Sequence, residues 1–349
     1  MSEFVIHIRP DGSLEDAPLD PPEPPTDPGA PGAARAVVPS TDGTVTWVSV
    51  QGEPAEAEHV LEAWGFHPLA VEDVRHAHTR AKFERYPGHG FALVPALNAA
   101  TPEALDTLGI YVFVRPGIIV TSSRPGVAAL DRARREVLAH PLRGGHAAER
   151  IVHAVIDAVA DEYGELLYSL EEELDALVDP SVDNDRRGRA HTRSLAARIR
   201  EIDERRSKIL QLQRILLPFK EMTKRLADGE ANGGPTEAAL YFRDVLDHVV
   251  HMVEECGLLV AISAGRITTL EAELREETAR ANDRLNQVMK YMAAMSTLLL
   301  PMTIVSGAFG MNFDDIPFAE HPHGFWMATG TMLVAAIGLL AVFRAKRWL

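Results

Sequence analysis

The stretch 285-LNQVMKYMAAMSTLLLPMTIVSGAFGMNF-313 decides how this chain is read. From Met292 to Phe309 it runs eighteen residues without a charge, and at about 1.5 Å rise per residue that is close to the shortest helix able to cross a bilayer core of about 30 Å. A second charge-free run, of nineteen residues, extends from Phe325 to Phe343. The short polar loop between them, Gly310 to Gly324, makes the two runs a hairpin whose ends return to one side of the membrane. Arg284 and Lys290 precede the first run, Arg344, Lys346 and Arg347 follow the second, and the loop has neither Lys nor Arg. That asymmetry predicts cytoplasmic termini. Asp314, Asp315 and Glu320, with His321 and His323, give the outer loop an acidic patch able to gather cations.

Two heptad rows of the first run share a face: Asn286, Ala293, Leu300 and Gly307, and Met289, Ser296, Thr303 and Gly310. A lipid anchor puts branched aliphatics anywhere, and a tight coiled coil puts Leu or Ile on such rows. Here they are small or weakly polar toward the outer end, which suits either close helix approach or a narrow wet path. Pro301 leaves the Thr297 carbonyl without its intrahelical donor, and a freed carbonyl in a membrane needs water, a neighbour or an ion.

Composition narrows the classes. One cysteine, Cys256, excludes a disulfide framework and a thiolate metal cluster. A net charge of −15 argues against a nucleic-acid partner and suits a protein that handles cations. The N-terminus, MSEFVIHIRPDG, has neither the basic flank nor the apolar run of a signal peptide, so the C-terminal hairpin must direct insertion.

In chain order, residues 3–9 alternate like a strand, and the Pro-, Asp- and Glu-rich segment from Pro10 to about Pro39 is expected to be disordered. Thr44 to Val50 reads as a strand, Glu53 to Trp64 and Pro68 to His76 as helices, and Gly90 to Leu97, Leu108 to Val114 and Gly117 to Ser122 as strands, the last two joined by a tight turn at Arg115-Pro116. This is an α/β domain. His76, His78 and His89 invite a metal-site reading, but His-x-His without nearby ligands is commonly a solvated turn. From Pro125 the pattern is helical: 127–140, 146–178, 187–228 with a break near Pro218, and a final helix from near Thr236 through the first membrane run. Its cytoplasmic part pairs charges such as Glu271 with Arg275 and Glu276 with Arg280 along an exposed face. The basic run from Arg186 to Arg214 alternates with Glu201, Asp203 and Glu204 and lacks aromatic stacking residues, so it reads as a solvated helical face. Asp175, Asp179, Asp183 and Asp185 lack the glycine and terminal Glu of a calcium loop. Nothing in the sequence argues for an enzyme.

Gly310-Met311-Asn312, closing the first of two C-terminal membrane runs before a short acidic loop, resembles the signature of the CorA family of divalent-cation channels. The resemblance extends to LNQVMK before the run, LPMTIVSG within it, FGMNF at its end and the basic tail Lys346-Arg347-Trp348-Leu349. Upstream, WGFHPLAVEDV (64–74), Ala81-Lys82-Phe83-Glu84 and LGIYVFVRPGIIVTSS (108–123) also look like the family's cytoplasmic domain, so the likeness covers most of the chain after about residue 44. It implies a pentameric funnel in an inner cell membrane, with the first run lining the pore and the second facing lipid. It implies pore-facing Asn286, Met289, Ser296, Leu300, Thr303, Gly307 and Asn312, and a filter turn formed by Gly310, Met311 and Asn312. In that filter Gly310 would allow a tight backbone and Asn312 would hold the hydrated ion through a neutral oxygen, which suits Mg²⁺, an ion that gives up its waters reluctantly. Thr303 would add a polar ring, and Met289 and Leu300 would gate by dewetting. Gating by cytoplasmic divalent ions is also implied, with Asp244 in Arg243–His248 as the first candidate ligand and Asp73 and Asp247 after it. The interval from Asp244 to Asn286 is longer than in the family's magnesium channels.

The expected architecture is therefore an α+β membrane protein: an N-terminal strand and disordered segment (1–43), a cytoplasmic α/β domain (44–125), cytoplasmic helices (126–235), a stalk helix (236–291) continuous with the pore helix (292–312), an external loop (313–324), a second membrane helix (325–343) and a basic tail (344–349). The expected cargo is Mg²⁺, with Co²⁺ or Ni²⁺ admitted. Phe309 in place of the usual Tyr, together with Pro322 to Trp326, resembles the ZntB branch, so proton-coupled Zn²⁺ transport stands as an alternative, with His321 and His323 better suited to zinc. An alternative of another class is a membrane-tethered sensor or scaffold whose hairpin only anchors and assembles it.

Overall fold

The computed structural model describes residues 2–11, 13–17, 44–101, 104–140, 146–178, 189–229, 239–311 and 321–346. They form two compact units, Met1–Arg186 with Ala197–Thr268, and Arg187–Ala196 with Thr269–Leu349.

The first unit is organised by a seven-stranded sheet in the order β2-β1-β3-β7-β6-β5-β4. Its strands are β1 (Ser2–Ile8), β2 (Leu14–Ala17), β3 (Val45–Gln51), β4 (Lys82–Tyr86), β5 (His89–Leu97), β6 (Thr107–Arg115) and β7 (Ile118–Ser123). Neighbours are antiparallel except β3 and β7, which run parallel from Thr46↔Ile118 to Gln51↔Ser123. Two hairpins turn on Pro-Gly pairs, Pro87-Gly88 and Pro116-Gly117, where Pro presets the first turn residue and Gly takes φ of +85° and +78°.

Alternation decides the faces. Val48, Val50, Phe91, Leu93, Tyr111, Phe113, Ile118 and Val120 point to one side, where α1 (Pro54–Ala63) and α2 (Pro68–Arg75) bury Ala57, Leu61, Ala70, Val71 and Val74 against them. On the other side Trp47 is fully buried and its indole N–H donates to Thr121 Oγ1 at 3.1 Å. The helices α3 (Ala128–Ala139) and α4 (Ala147–Val178) lie against the sheet as well, and the buried Tyr163 hydroxyl donates to the Pro95 carbonyl at 2.8 Å. Three further helices follow: α5 (Arg189–Ala227), α6 (Ala239–Phe309) and α7 (Gly324–Ala345). Arginines of the basic run bind α4, since Arg198 donates to the Leu177 carbonyl at 2.7 Å and Arg205 pairs with Glu173. They are helix-to-helix contacts.

The structure departs from the sequence reading in several places. The segment expected to be disordered contains β2, and β1 pairs along its length with β3, so the strand before residue 43 belongs to the α/β sheet. β2 escapes notice because it is a short, charged edge strand, with Glu15 paired to Arg9 at 2.7 Å. Residues 18–43 lie outside the described residues. β4 carries Lys82, Glu84 and Arg85 and hides for the same reason. Pro218 does not break α5. A mid-helix proline costs about 3 kcal/mol, and here Leu216 and Phe219 beside it are fully buried and offset that loss. α6 starts at Ala239, while Thr236 lies outside the described residues, as do Asp179, Asp183 and Asp185.

Candidate functional site

Among the described residues, α6 and α7 are the helices long and apolar enough to cross a membrane. Along α6 the residues Asn286, Met289, Ser296, Leu300, Thr303 and Gly307 are all exposed in the single chain, Met289 by 68% and Leu300 by 60%. At about 100° per residue they fall, with Ala293, within an arc of roughly 100°. The buried or partly buried positions of the same span are Ala294, Leu298, Pro301, Met302 and Val305. They centre about 160° away around the helix. The weakly polar row thus lies within the broad part of α6 that its own chain leaves open, which also carries the exposed Met292, Met295, Leu299 and Ile304.

Local bonding along the row is informative. The Thr303 hydroxyl donates to the Leu299 carbonyl at 3.0 Å, which commits its hydrogen and leaves its lone pairs facing outward as acceptors. Pro301 is accommodated without ending α6. Gly310 follows the last turn, its N–H shared between the Ser306 and Gly307 carbonyls at 3.1 and 3.2 Å. Its φ is not in the left-handed region, so the need for glycine is one of proximity: a Cβ there would lie 3.2 Å from the Ser306 carbonyl oxygen. Met311 is exposed, with its N–H 3.4 Å from the Ala308 carbonyl. Asn312, Asp314, Asp315 and Glu320 lie outside the described residues. Asp283, which the sequence reading passed over, shares a recess with Asn286, Met289 and Ala293 at the N-terminal end of the row. Its spacing of three from Asn286 was the available signal.

The candidate regulatory carboxylates are in the first unit. Asp73 on α2 is buried: His78 Nδ1 is 2.8 Å from one oxygen, and Lys82 Nζ, 2.7 Å from the other, faces it as an ion pair without hydrogen-bond geometry. Lys82 also pairs with Glu84 at 3.3 Å, and although burial opposes its charge, the Asp73 and Glu84 carboxylates hold its pKa above the usual value. Asp244 and Asp247 are exposed near the start of α6. Asp244 stands within electrostatic reach of His153 and Asp157 on α4, and burial depresses the His153 imidazole and raises the Asp157 carboxyl. His153 lies edge-on to Tyr241 at 5.7 Å and to Phe242 at 6.1 Å. Neither α4 residue was visible as a site in sequence, because the approach of α4 to α6 is tertiary.

The histidines of the α/β domain do not converge. His78 serves Asp73, His76 faces Glu72 at 3.8 Å, and His89 is buried between Tyr86 and Phe66, its ring 5.3 and 5.2 Å from theirs. Among the described residues no group of three His, Cys, Asp or Glu side chains is arranged to hold a metal ion. His321 and His323, just before α7, have rings 5.9 Å apart, and the His323 N–H donates to His321 Nδ1 at 3.2 Å.

With this geometry in hand, comparison with known proteins is direct. The profile of the family described as CorA-like Mg²⁺ transporter protein matches residues 42–347. The chain is 28% identical over 304 residues to the YfjQ protein of Bacillus subtilis (strain 168), covering 86% of this chain and 89% of that one. It is 23% identical over 321 residues to the cobalt/magnesium transport protein CorA of Thermotoga maritima, covering 90% and 86%. The complete structure of the CorA magnesium transporter from Methanocaldococcus jannaschii superposes with a TM-score of 0.58 at 18% identity, covering 100% of this chain and 99% of that one. That last likeness speaks for the fold.

Proposed function

The chain belongs to the CorA-like Mg²⁺ transporter family, and from that premise we propose that it passes hydrated Mg²⁺ across an inner cell membrane through a pore formed by five copies, with both termini cytoplasmic. The observation that carries this reading is the open row of α6. Two membrane helices in one chain cannot enclose a path, so a path needs copies around an axis, and of the open surface of α6 this row is the part whose small and weakly polar side chains suit a wet lining. Asn312 would hold the ion with its waters, Gly310 and Met311 would shape the filter turn, and Thr303 would accept from the ion's waters with its outward lone pairs. Met289 and Leu300 would form apolar constrictions, Asn286 and Ser296 polar steps between them, and Asp314, Asp315 and Glu320 would draw cations to the mouth.

Cytoplasmic Mg²⁺ would hold the closed state through Asp244, with Asp247 beside it. Asp73 is the weaker ligand, because an ion there would have to displace Lys82 and His78. Proton-coupled Zn²⁺ transport is the second reading, and the juxtaposed His321 and His323 rings favour it.

Flux into proteoliposomes tests both, comparing Mg²⁺ and Zn²⁺ with and without an imposed proton gradient, beside Asn312→Ala. Mg²⁺ entry down its own gradient, lost in Asn312→Ala, is the expected result. Zn²⁺ entry that rises with the proton gradient would transfer the protein to the second reading, and absence of flux for both ions would make it a tethered sensor.

A further inference from the structure

We propose that the cleft between β4 and α5 in the first unit binds a soluble phosphate-bearing anion, by class an organic polyphosphate. The cleft has a volume of about 380 Å³ and is lined by Arg80, Lys82, Lys220, Arg225 and Glu221; Asp73 and Glu84 behind the wall neutralise Lys82, so the positive surplus rests on Arg80, Lys220 and Arg225. In a chain of net charge −15 this local balance is the reverse of the average. A recess that concentrates positive charge on an acidic protein focuses the field on an anion.

The four cations divide into two kinds. Arg225 and Lys82 are fixed in place. The Arg225 guanidinium donates to the Phe83 carbonyl on the outer edge of β4 and lies over the Phe83 ring, 5.6 Å from its centre. Lys82 is held by Asp73 and Glu84 and sits 5.6 Å from the centre of the Phe91 ring. Arg80 and Lys220 have no ion-pair or hydrogen-bond partner among the described residues. Two cations pinned to the walls and two uncommitted ones at the same recess offer donors to a ligand that supplies several acceptor oxygens. Phosphate does this, taking the planar fork of an arginine and the point charge of a lysine together.

Size and lining refine the class. A recess this small admits a short polyphosphate and excludes a nucleic-acid duplex. Its α5 wall presents Leu217, 46% exposed, and Pro218, an apolar surface beside the charges that suits the organic part of the ligand. The proposal is independent of what crosses the membrane, and its readout is binding alone.

Calorimetric titration of the full-length protein in detergent, with ATP and with inorganic triphosphate at fixed free Mg²⁺, tests it. One saturable site per chain is expected, weakening as salt rises and at least tenfold weaker in the double variant Arg80→Glu/Lys220→Glu. Removing the opposing charge by Glu221→Gln is expected to tighten binding severalfold, an effect that loss of structure would not produce. ATP should bind more tightly than triphosphate, and Leu217→Ser should erase the difference. No heat with either anion, or affinities unchanged in the double variant, would overturn the site, and equal affinities for the two anions would overturn its organic half.

Discussion

Gly307→Ala separates a pore from an anchor. Within its own chain a Cβ at Gly307 would meet no atom within 4 Å, and the same is true at Gly330 and Gly338 on α7. Glycine inside a helix is about 1 kcal/mol less favourable than alanine, so each substitution is expected to leave the isolated chain unchanged or more stable by up to that amount. The three positions are matched controls for each other in helix propensity and local space. They differ in that Gly307 lies on the open, weakly polar row of α6. If that row faces the conduction path, every copy adds a methyl group to it at a point where no side chain stood. A roughly tenfold fall in flux, equivalent to about 1.4 kcal/mol on the barrier, is the expected minimum. Mg²⁺ uptake into proteoliposomes, read beside thermal unfolding in detergent, measures both terms. Gly307→Ala should lose flux with an unchanged or higher Tm, while Gly330→Ala and Gly338→Ala should keep flux within about twofold. Wild-type flux in Gly307→Ala would refute the assignment of the row to the path, and equal loss in all three would trace the effect to helix stiffness.

Three further outcomes concern the first unit. Gly109→Ala places a Cβ 2.8 Å from the His78 carbonyl oxygen and from the buried Tyr111 ring, whose hydroxyl donates to that same carbonyl at 2.9 Å. A loss of about 2–4 kcal/mol is expected in unfolding experiments, from overpacking and a lost hydrogen bond together. Lys82→Met leaves the buried Asp73 with His78 alone and should cost about 1–3 kcal/mol, with the added Asp73→Asn change recovering part of it in a double-mutant cycle. Burial first, then the Arg115 and His67 charges, lower the His89 pKa to about 4. Between that value and the ordinary one near 6.5 the unfolded chain binds a proton that the folded chain refuses, so stability falls as pH drops through this window. After solvent screening the contribution is roughly 1–2 kcal/mol, and His89→Phe should flatten that part of the Tm-versus-pH curve.

The features legible in the sequence were those whose cause is local. Charge-free length marked α6 and α7, and the row from Asn286 to Gly307 could be drawn because helical periodicity fixes which residues share a face. β5, β6 and β7 showed themselves as short apolar runs punctuated by a turn signal, which the structure places at Pro116-Gly117, one residue beyond the expected Arg115-Pro116. The strands β2 and β4 were hidden because edge strands carry charge on positions that central strands give to Val or Ile. Pro218 misled because a local propensity was weighed without the burial of Leu216 and Phe219 that overrides it. The occupation of Asp73 by Lys82, and the approach of His153 to the start of α6, depend on elements distant in sequence and had no local signature. The filter assignment rests on the family motif alone and remains a proposal, and periodicity alone left the row open to either packing or conduction.

The position of β1 bears on how this protein is handled. Although first in the chain, Ser2–Ile8 is an interior strand, paired to β2 on one side and through seven registered positions to β3 on the other. It contributes Val5, Ile6 and Ile8 to the core. Trimming the leading residues would therefore expose the flank of β3, whose Val45, Trp47, Val48 and Val50 make it an adhesive template for other chains. Aggregation of such a shortened protein would report a lost neighbour in the sheet, even with the membrane helices intact.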